Sequence, residues 1–146
     1  MSFANEEEVR KASHAVTDDK NEINWLLIDY AAARGDALAL TATGTGGLAE
    51  LAERFEEGSA QYGYVRVEYA NDTESKRVKF VFVVWISETA KVMRKAGVSV
   101  HSGNVGKQLG YCSIQVTVSS KADLKEELIV KRLRDAGGAD YNGGRG

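Results

Sequence analysis

Apolar residues occupy both faces of one stretch of this chain, which runs from Lys79 to Ile86. Because alternate side chains of a strand point to opposite faces, this stretch separates into two apolar sets. One set comprises Val81, Val83 and Trp85, and the other comprises Phe80, Phe82, Val84 and Ile86. A strand with one solvated face would alternate with polar residues, so we predict a central strand covered by helices on both sides.

Three cations precede this apolar run. Lys76, Arg77 and Lys79 would lie at the mouth of the strand, held by a rigid element and facing solvent. By residue type alone, a solvated basic turn is the simplest interpretation, because Lys and Arg side chains are mostly exposed. As a functional site, the cluster suits an acidic protein partner, since charges on a rigid strand end steer the encounter and fix its register.

Hydrophobic periodicity and turn residues predict the other elements. Helices are expected at 5–18, from Leu48 to a stop at Gly58, at 88–97 and at 120–135, and further strands at 24–30, 37–43, 62–70 and 112–118. The strands at 24–30 and 37–43 form a hairpin in this interpretation, and 71–73 is a turn-rich link. The order of elements predicts an α/β (α+β) fold with a mixed five-stranded sheet sandwiched between helices on both faces.

The helix after the central strand is predicted to be short. Ser87 is a suitable cap for it, and Gly97 is expected to interrupt it, which leaves at most a weak helix near 104–109. Its predicted buried face comprises Thr89, Val92, Met93 and Ala96. Its predicted solvated face comprises Lys91, Arg94 and Lys95.

A capping-box pattern at Ser120 and Asp123 begins the last predicted helix, which ends near Asp135. Its predicted core face comprises Ala122, Ile129, Leu133 and Ala136, whereas Lys131 and Arg134 lie on the far side. We expect one domain over residues 1–136 and a flexible Gly-rich tail over 137–146.

Composition narrows the functional classes. The 146 residues carry a formal net charge of −2, which argues against a general nucleic-acid binder. No apolar run approaches the roughly 20 residues that span a bilayer, and the acidic start of the chain does not resemble a targeting segment, so we expect a cytoplasmic protein away from membranes. The single cysteine, Cys112, excludes an internal disulfide and a zinc cluster, and it reads as a small core residue.

A competing signal lies between the second strand of the hairpin and the next helix. The run from Gly44 to Ala49 satisfies the Gly-x-Gly-x-x-Ala pattern of dinucleotide-binding turns, and Glu68 follows at roughly the 20-residue spacing of such sites. Against a nucleotide site, the preceding strands form an antiparallel hairpin and too few residues follow for a doubly wound fold. A flexible loop is therefore the favoured interpretation, and a small nucleotide-binding enzyme is the alternative.

Three segments together resemble a known family: 75–80 (Ser-Lys-Arg-Val-Lys-Phe), 85–88 (Trp-Ile-Ser-Glu) and 136–141 (Ala-Gly-Gly-Ala-Asp-Tyr). On these segments the chain is similar to the coactosin branch of the actin-depolymerising factor homology (ADF-H) family, over about 5–141. The resemblance implies a monomer of the cytoplasmic actin cytoskeleton that binds the side of filamentous actin, has no enzymatic activity and needs no cofactor. Carried over by position, the expected actin-binding residues are Lys79, which ranks first, then Arg77 and Lys76, and Lys131 and Arg134 in the last helix.

The chain departs from cofilin-like relatives in one respect. Those relatives hold monomeric actin with a long basic helix after the Trp-containing strand. Lys95 matches one of its lysines and is the sixth expected actin-binding residue. Here Gly97 is expected to break that helix, and Ser102 stands where a second basic residue would be. The resemblance therefore implies weak or no binding to monomeric actin and no strong severing. An interaction domain of the same fold with a partner other than actin remains the second hypothesis.

Overall fold

The computed structural model describes residues 2–70 and 75–140. Within these residues the chain forms six strands, four α-helices and one short 3-10 helix. In chain order they are β1 (Ser2–Phe3), α1 (Glu6–Thr17), β2 (Trp25–Tyr30), β3 (Ala37–Gly44), α2 (Gly47–Arg54), β4 (Ala60–Ala70), β5 (Lys76–Ile86), α3 (Val92–Leu109), β6 (Ile114–Val118), the 3-10 helix (Lys121–Leu124) and α4 (Glu126–Asp140). The expected link at 71–73 and the end of the expected tail, 141–146, lie outside the described residues.

The strands form one mixed sheet in the order β1-β3-β2-β4-β5-β6. The pairs β2–β3, β2–β4 and β4–β5 are antiparallel, whereas β1–β3 and β5–β6 are parallel. The predicted hairpin and the half-buried edge strand at 112–118 are both present, as β2–β3 and β6. The two-residue strand β1 adds one strand to the predicted five without changing the fold class.

Each face of the sheet carries its own apolar core. Val81, Val83 and Trp85 pack in a cluster with residues of α2 and α4, and Phe82 and Val84 pack in a second cluster with residues of α1 and α3. The predicted separation of the two β5 faces is therefore confirmed. As an interior strand, β5 is paired to β4 on one side and to β6 on the other.

The predicted interruption at Gly97 is wrong, because α3 is continuous from Val92 to Leu109. A glycine inside a helix costs about 1 kcal/mol relative to alanine, and burial of Val98, Val105 and Leu109 against the sheet outweighs that cost. Ser87 does not cap this helix. Its buried hydroxyl instead accepts a hydrogen bond from the Gly58 amide at 2.8 Å.

The buried face predicted for the first turns of α3 is also wrong. Val92 and Met93 are 78% and 83% exposed, and Ala96 and Thr89 are exposed as well. Arg94 and Lys95, which the sequence placed on the solvated side, are half-buried. The helix is thus rotated from the predicted orientation, because its second half, from Val98 to Leu109, determines which side faces the sheet.

The segment after β6 divides into two helices. Ser120 caps the 3-10 helix by accepting a hydrogen bond from the Ala122 amide at 3.2 Å, and α4 begins afresh at Glu126. Ile129 and Leu133 are buried as predicted, but Ala122 is exposed, since it belongs to the 3-10 helix. The helix ends at Asp140, five residues beyond the predicted end at Asp135. The domain boundary at 136 stays a prediction.

Packing and internal hydrogen bonds explain the glycines in the loop at 44–47. A Cβ at Gly44 would collide with the Trp25 ring, and Gly47 has φ +69°, where glycine is favoured. The Glu50 carboxylate accepts hydrogen bonds from the Trp25 indole at 2.8 Å and the Gly46 amide at 2.9 Å, which hold its pKa below the usual value. The Gly46 amide, which a bound phosphate would need as a donor, is therefore already bonded to the Glu50 carboxylate. The structure thus gives no support to a nucleotide site in this loop.

We predict that Gly44→Ala destabilises the fold by about 3 kcal/mol, because the added methyl must displace the buried Trp25 ring. Gly103→Ala is the matched control, since its Cβ would meet nothing within 4 Å and the site is helical. There we expect stabilisation of about 0.5–1 kcal/mol. Urea unfolding followed by circular dichroism measures both variants. Equal effects at the two glycines would contradict the packing explanation.

Candidate functional site

The first residues of β5 extend beyond the end of the neighbouring strand β6. Pairing with β4 covers all of β5, from Lys76 opposite Ala70 to Ile86 opposite Ala60, whereas pairing with β6 begins only at Val81. The residues that follow, Val81 to Trp85, are all buried. The cation-bearing end at 76–79 is therefore anchored by a buried interior segment and by one flanking strand.

Arg77 and Lys79 share the face of the sheet that carries α2 and α4, because they continue the alternation of Val81 and Val83. Tyr69 of β4 lies directly opposite Arg77 in the register, and buried Val67 lies opposite Lys79. Residues directly opposite in an antiparallel pair have Cβ atoms about 4.5–5.5 Å apart. The two cations are thus adjacent to an aromatic ring on one surface.

Arg134 belongs to the same surface, because α4 packs on this face of the sheet. Its guanidinium donates a hydrogen bond to the Ala70 carbonyl at 2.7 Å and lies 5.3 Å from the centre of the Tyr69 ring. The helix and the beginning of β5 are therefore joined through β4. We call Tyr69, Arg77, Lys79 and Arg134 the mouth patch. No carboxylate of the described residues lies within ion-pair distance of its three cations.

Lys76 belongs to the opposite face. Its ammonium pairs with Glu68 at 2.7 Å, and Glu68 also lies 3.9 Å from the Arg66 guanidinium. Arg66 is buried and donates hydrogen bonds to carbonyls at the end of α1, among them Val16 at 2.9 Å. Lys76 is a sequence neighbour of Arg77, but strand alternation and this ionic network place its side chain on the other face of the sheet from Arg77 and Lys79.

The other two predicted residues lie apart from the mouth patch to different degrees. Lys131 is one helical turn before Arg134, is exposed, and pairs with Asp135 at 3.0 Å. Lys95 lies beyond the other end of β5. The strand from Lys79 to Ile86 is itself about 23 Å long, and Lys95 follows it in α3. Its ammonium donates a hydrogen bond to the Glu88 carbonyl at 2.7 Å. The structure therefore brings together three of the six predicted residues: Arg77, Lys79 and Arg134.

The first half of α3 carries an exposed apolar surface that the sequence pattern does not predict. Val92, Met93 and Val100 are each more than 70% exposed, and Ala96 is exposed between them. Met93, Ala96 and Val100 have the 3-4-7 spacing that places side chains on one helix face. We call these four residues the α3 stripe. The sequence pattern predicts three of them, Val92, Met93 and Ala96, to be buried, whereas the structure exposes all four. Exposed apolar patches of this kind mark interaction sites.

The described residues show little other chemistry. Within them, no group of three His, Cys, Asp or Glu side chains is placed to hold a metal ion. Cys112 is half-buried against the α1–α3 core, as a small core residue would be, and burial raises the pKa of its thiol. The arrangement is that of a binding surface, with cations, an aromatic ring and an apolar helix face.

The family of this chain is shown by comparison with known proteins. Residues 2–134 match the family described as cofilin/tropomyosin-type actin-binding protein, and the chain belongs to this family. Among its members, coactosin of Dictyostelium discoideum is 36% identical over 146 residues, covering 99% of this chain and 98% of that protein. The predicted resemblance to coactosins is thereby confirmed, as is the prediction of a binding protein and not an enzyme.

Solved structures agree with this assignment. The crystal structure of coactosin from Entamoeba histolytica superposes with a TM-score of 0.84 at 30% identity, covering 95% of this chain and 98% of that chain. Human coactosin-like protein has a TM-score of 0.82 at 21% identity over 92% of this chain and 98% of that chain, which shows the shared fold. Among residues 2–70 and 75–140, no helix combines the length and apolar character needed to cross a membrane.

We predict that Arg134 and Tyr69 are energetically coupled. In a double-mutant cycle with Arg134→Ala and Tyr69→Leu, the coupling free energy of unfolding should be about 0.5–1 kcal/mol, as expected for a partly exposed cation over an aromatic ring. The pair Arg54 and Trp25, with the guanidinium 5.6 Å from the ring centre, provides a reference of the same kind. Strictly additive Arg134 and Tyr69 effects would show that this contact does not hold α4 to β4.

Proposed function

We propose that this protein binds the side of filamentous actin through the mouth patch, and modulates filament dynamics without strong severing or sequestration of monomers. The observation that carries the proposal is the convergence of Arg77, Lys79 and Arg134 on one surface at the projecting end of a buried strand. Family membership supports actin as the partner. The surface requires no cofactor.

The physical basis is preorganisation. Interior strands lose no further backbone freedom on binding, so cations attached to β5 meet an acidic partner without a backbone ordering cost. Complementary charges steer encounter and fix register, but affinity needs desolvated neighbours as well. Tyr69 supplies such a neighbour, because it is half-buried, lies opposite Arg77 in the register and has the Arg134 guanidinium over its ring.

Lys79 is the proposed anchor. It lies closest to the buried part of β5 among the three strand cations, and it is half-buried where Arg77 and Lys76 are exposed. A partly desolvated charge contributes more to binding than a fully exposed one. Arg134 has a double role, since it holds α4 against β4 and presents its remaining donors. Lys131, paired to Asp135, and Lys76, paired to Glu68, are peripheral contributors.

We assign a second contact to the α3 stripe at the other end of β5, with Lys95 at its border. The continuity of α3 removes Gly97 as a reason for weak monomer binding. Other features still support it. Arg94 and Lys95 direct their donors to carbonyls of their own chain, and Ser102 adds no charge, so the exposed helix face is apolar and not basic. We propose that the protein acts as a monomer at the cytoplasmic actin cytoskeleton.

Lys79→Ala should weaken binding to filaments by about 2 kcal/mol, or about 30-fold in Kd, and leave the free energy of unfolding nearly unchanged. Co-sedimentation with filamentous actin over a range of concentrations measures this. Lys11→Ala is the control, because Lys11 is exposed on α1 beneath the opposite face of the sheet. Undiminished binding of the Lys79 variant, or an equal loss in both, would overturn the assignment. A wild-type chain that does not pellet with filaments would favour a partner other than actin.

Met93→Ser should weaken filament binding by about tenfold through loss of apolar contact in the interface. Its thermal stability should hardly change, since Met93 is 83% exposed in the free protein. Leu128→Ser, at an exposed apolar residue of α4, is the matched control and should bind like the wild type. If the Met93 variant binds normally, the α3 stripe is not part of the filament interface.

A further inference from the structure

Arg94 makes more internal contacts than a solvated arginine would. Its guanidinium donates hydrogen bonds to the carbonyls of Gly35 at 2.6 Å and of Ala32 and Ala33, both at 2.9 Å. The same group lies over the Tyr30 ring, 3.8 Å from its centre. One side chain of α3 thus holds three backbone groups of the β2–β3 loop.

The loop at 31–36 needs such support, because all of its residues are exposed. One backbone hydrogen bond closes its base, from the Ala31 amide to the Ala37 carbonyl at 2.8 Å, and Gly35 adopts φ +94°. A second link to α3 lies below the loop, where the Tyr30 hydroxyl is 2.9 Å from His101 Nδ1. Arg94 and His101 are two turns apart on α3, so they join the helix to the hairpin at two levels.

The α3 stripe lies beside this junction. Val92 and Met93 immediately precede Arg94, and together with the loop they line a cleft of about 1000 Å³. The position of the loop therefore determines the shape of the surface around these two apolar side chains. Without Arg94 the loop would lose the three side-chain hydrogen bonds that hold it to the first turn of α3, and its position beside these two side chains would be less well defined.

We infer that Arg94 is a positioning residue, which fixes the β2–β3 loop against the first turn of α3 and so maintains the apolar surface that the α3 stripe offers to its partner. This inference rests on the proposed function, in which the α3 stripe contacts filamentous actin. It assigns to Arg94 a role through backbone carbonyls of its own chain, and not through charge on the partner.

The difference between these two roles can be measured with a conservative substitution. Lysine keeps the positive charge but lacks the planar fork that serves several carbonyls at once and stacks on an aromatic ring. If Arg94 contacted an acidic partner by charge, Arg94→Lys would restore binding that Arg94→Ala loses. A positioning role predicts that both variants lose binding, by about tenfold, because neither holds the loop. Arg54→Ala is the control, since Arg54 also lies over an aromatic ring but on α2.

The experiment combines co-sedimentation of these variants with NMR relaxation of the free proteins. Backbone order parameters of residues 32–36 should be about 0.85 in the wild type and fall below about 0.6 in both Arg94 variants, but not in Arg54→Ala. Unchanged order parameters, or normal filament binding by Arg94→Lys, would overturn the inference while wild-type binding persists. Absence of wild-type binding would instead remove the proposed function, and the positioning role with it.

Discussion

Strand β5 is buried on both faces between two helical layers, and the other features of this protein follow from that constraint. A shift of register by one residue would exchange the side chains that pack with α2 and α4 for those that pack with α1 and α3. Both sets are apolar, but they differ in shape: Trp85 stacks on Phe55 on one face, and Phe82 stacks on Tyr62 on the other. The register with β4 is therefore specified over the whole strand, and with it the positions of Arg77 and Lys79.

The same constraint explains why binding groups appear at the two ends of β5. Its centre is inaccessible, so β5 itself can meet a partner only at its projecting mouth, and α3 follows its other end. At the mouth, Arg134 on the outer face of α4 donates a hydrogen bond to the Ala70 carbonyl of β4. This bond fixes the position of Arg134 and makes it part of the mouth patch. At the other end, the first turns of α3 present apolar side chains, because Arg94 and Lys95 are directed to carbonyls of their own chain. The two surfaces therefore have different chemistry, one cationic and one apolar.

The buried and exposed positions of β5 could be predicted from the sequence, whereas those of α3 could not, for a physical reason. Alternation along a strand specifies both faces, so the two cores, the interior position and the location of Lys79 could be predicted from residues 79–86. Along α3, Met93, Ala96 and Val100 have the spacing of a core face, and only packing with β5 shows that Val98, Val105 and Leu109 are buried instead. Long-range contacts such as Arg134 with Ala70 and Arg94 with Gly35 join residues about 60 positions apart, which no local pattern indicates.

The central claim is that β5 presents Lys79 as a desolvated contact to the filament. Covalent labelling of lysine ammonium groups, read by mass spectrometry with and without filamentous actin, tests it directly because every lysine of the chain is compared in one sample. We predict that filaments slow the labelling of Lys79 strongly and that of Lys131 partly, while Lys11 labels at an unchanged rate. Labelling of Lys79 at its free rate under saturating filaments, with protection elsewhere on the chain, would contradict the account.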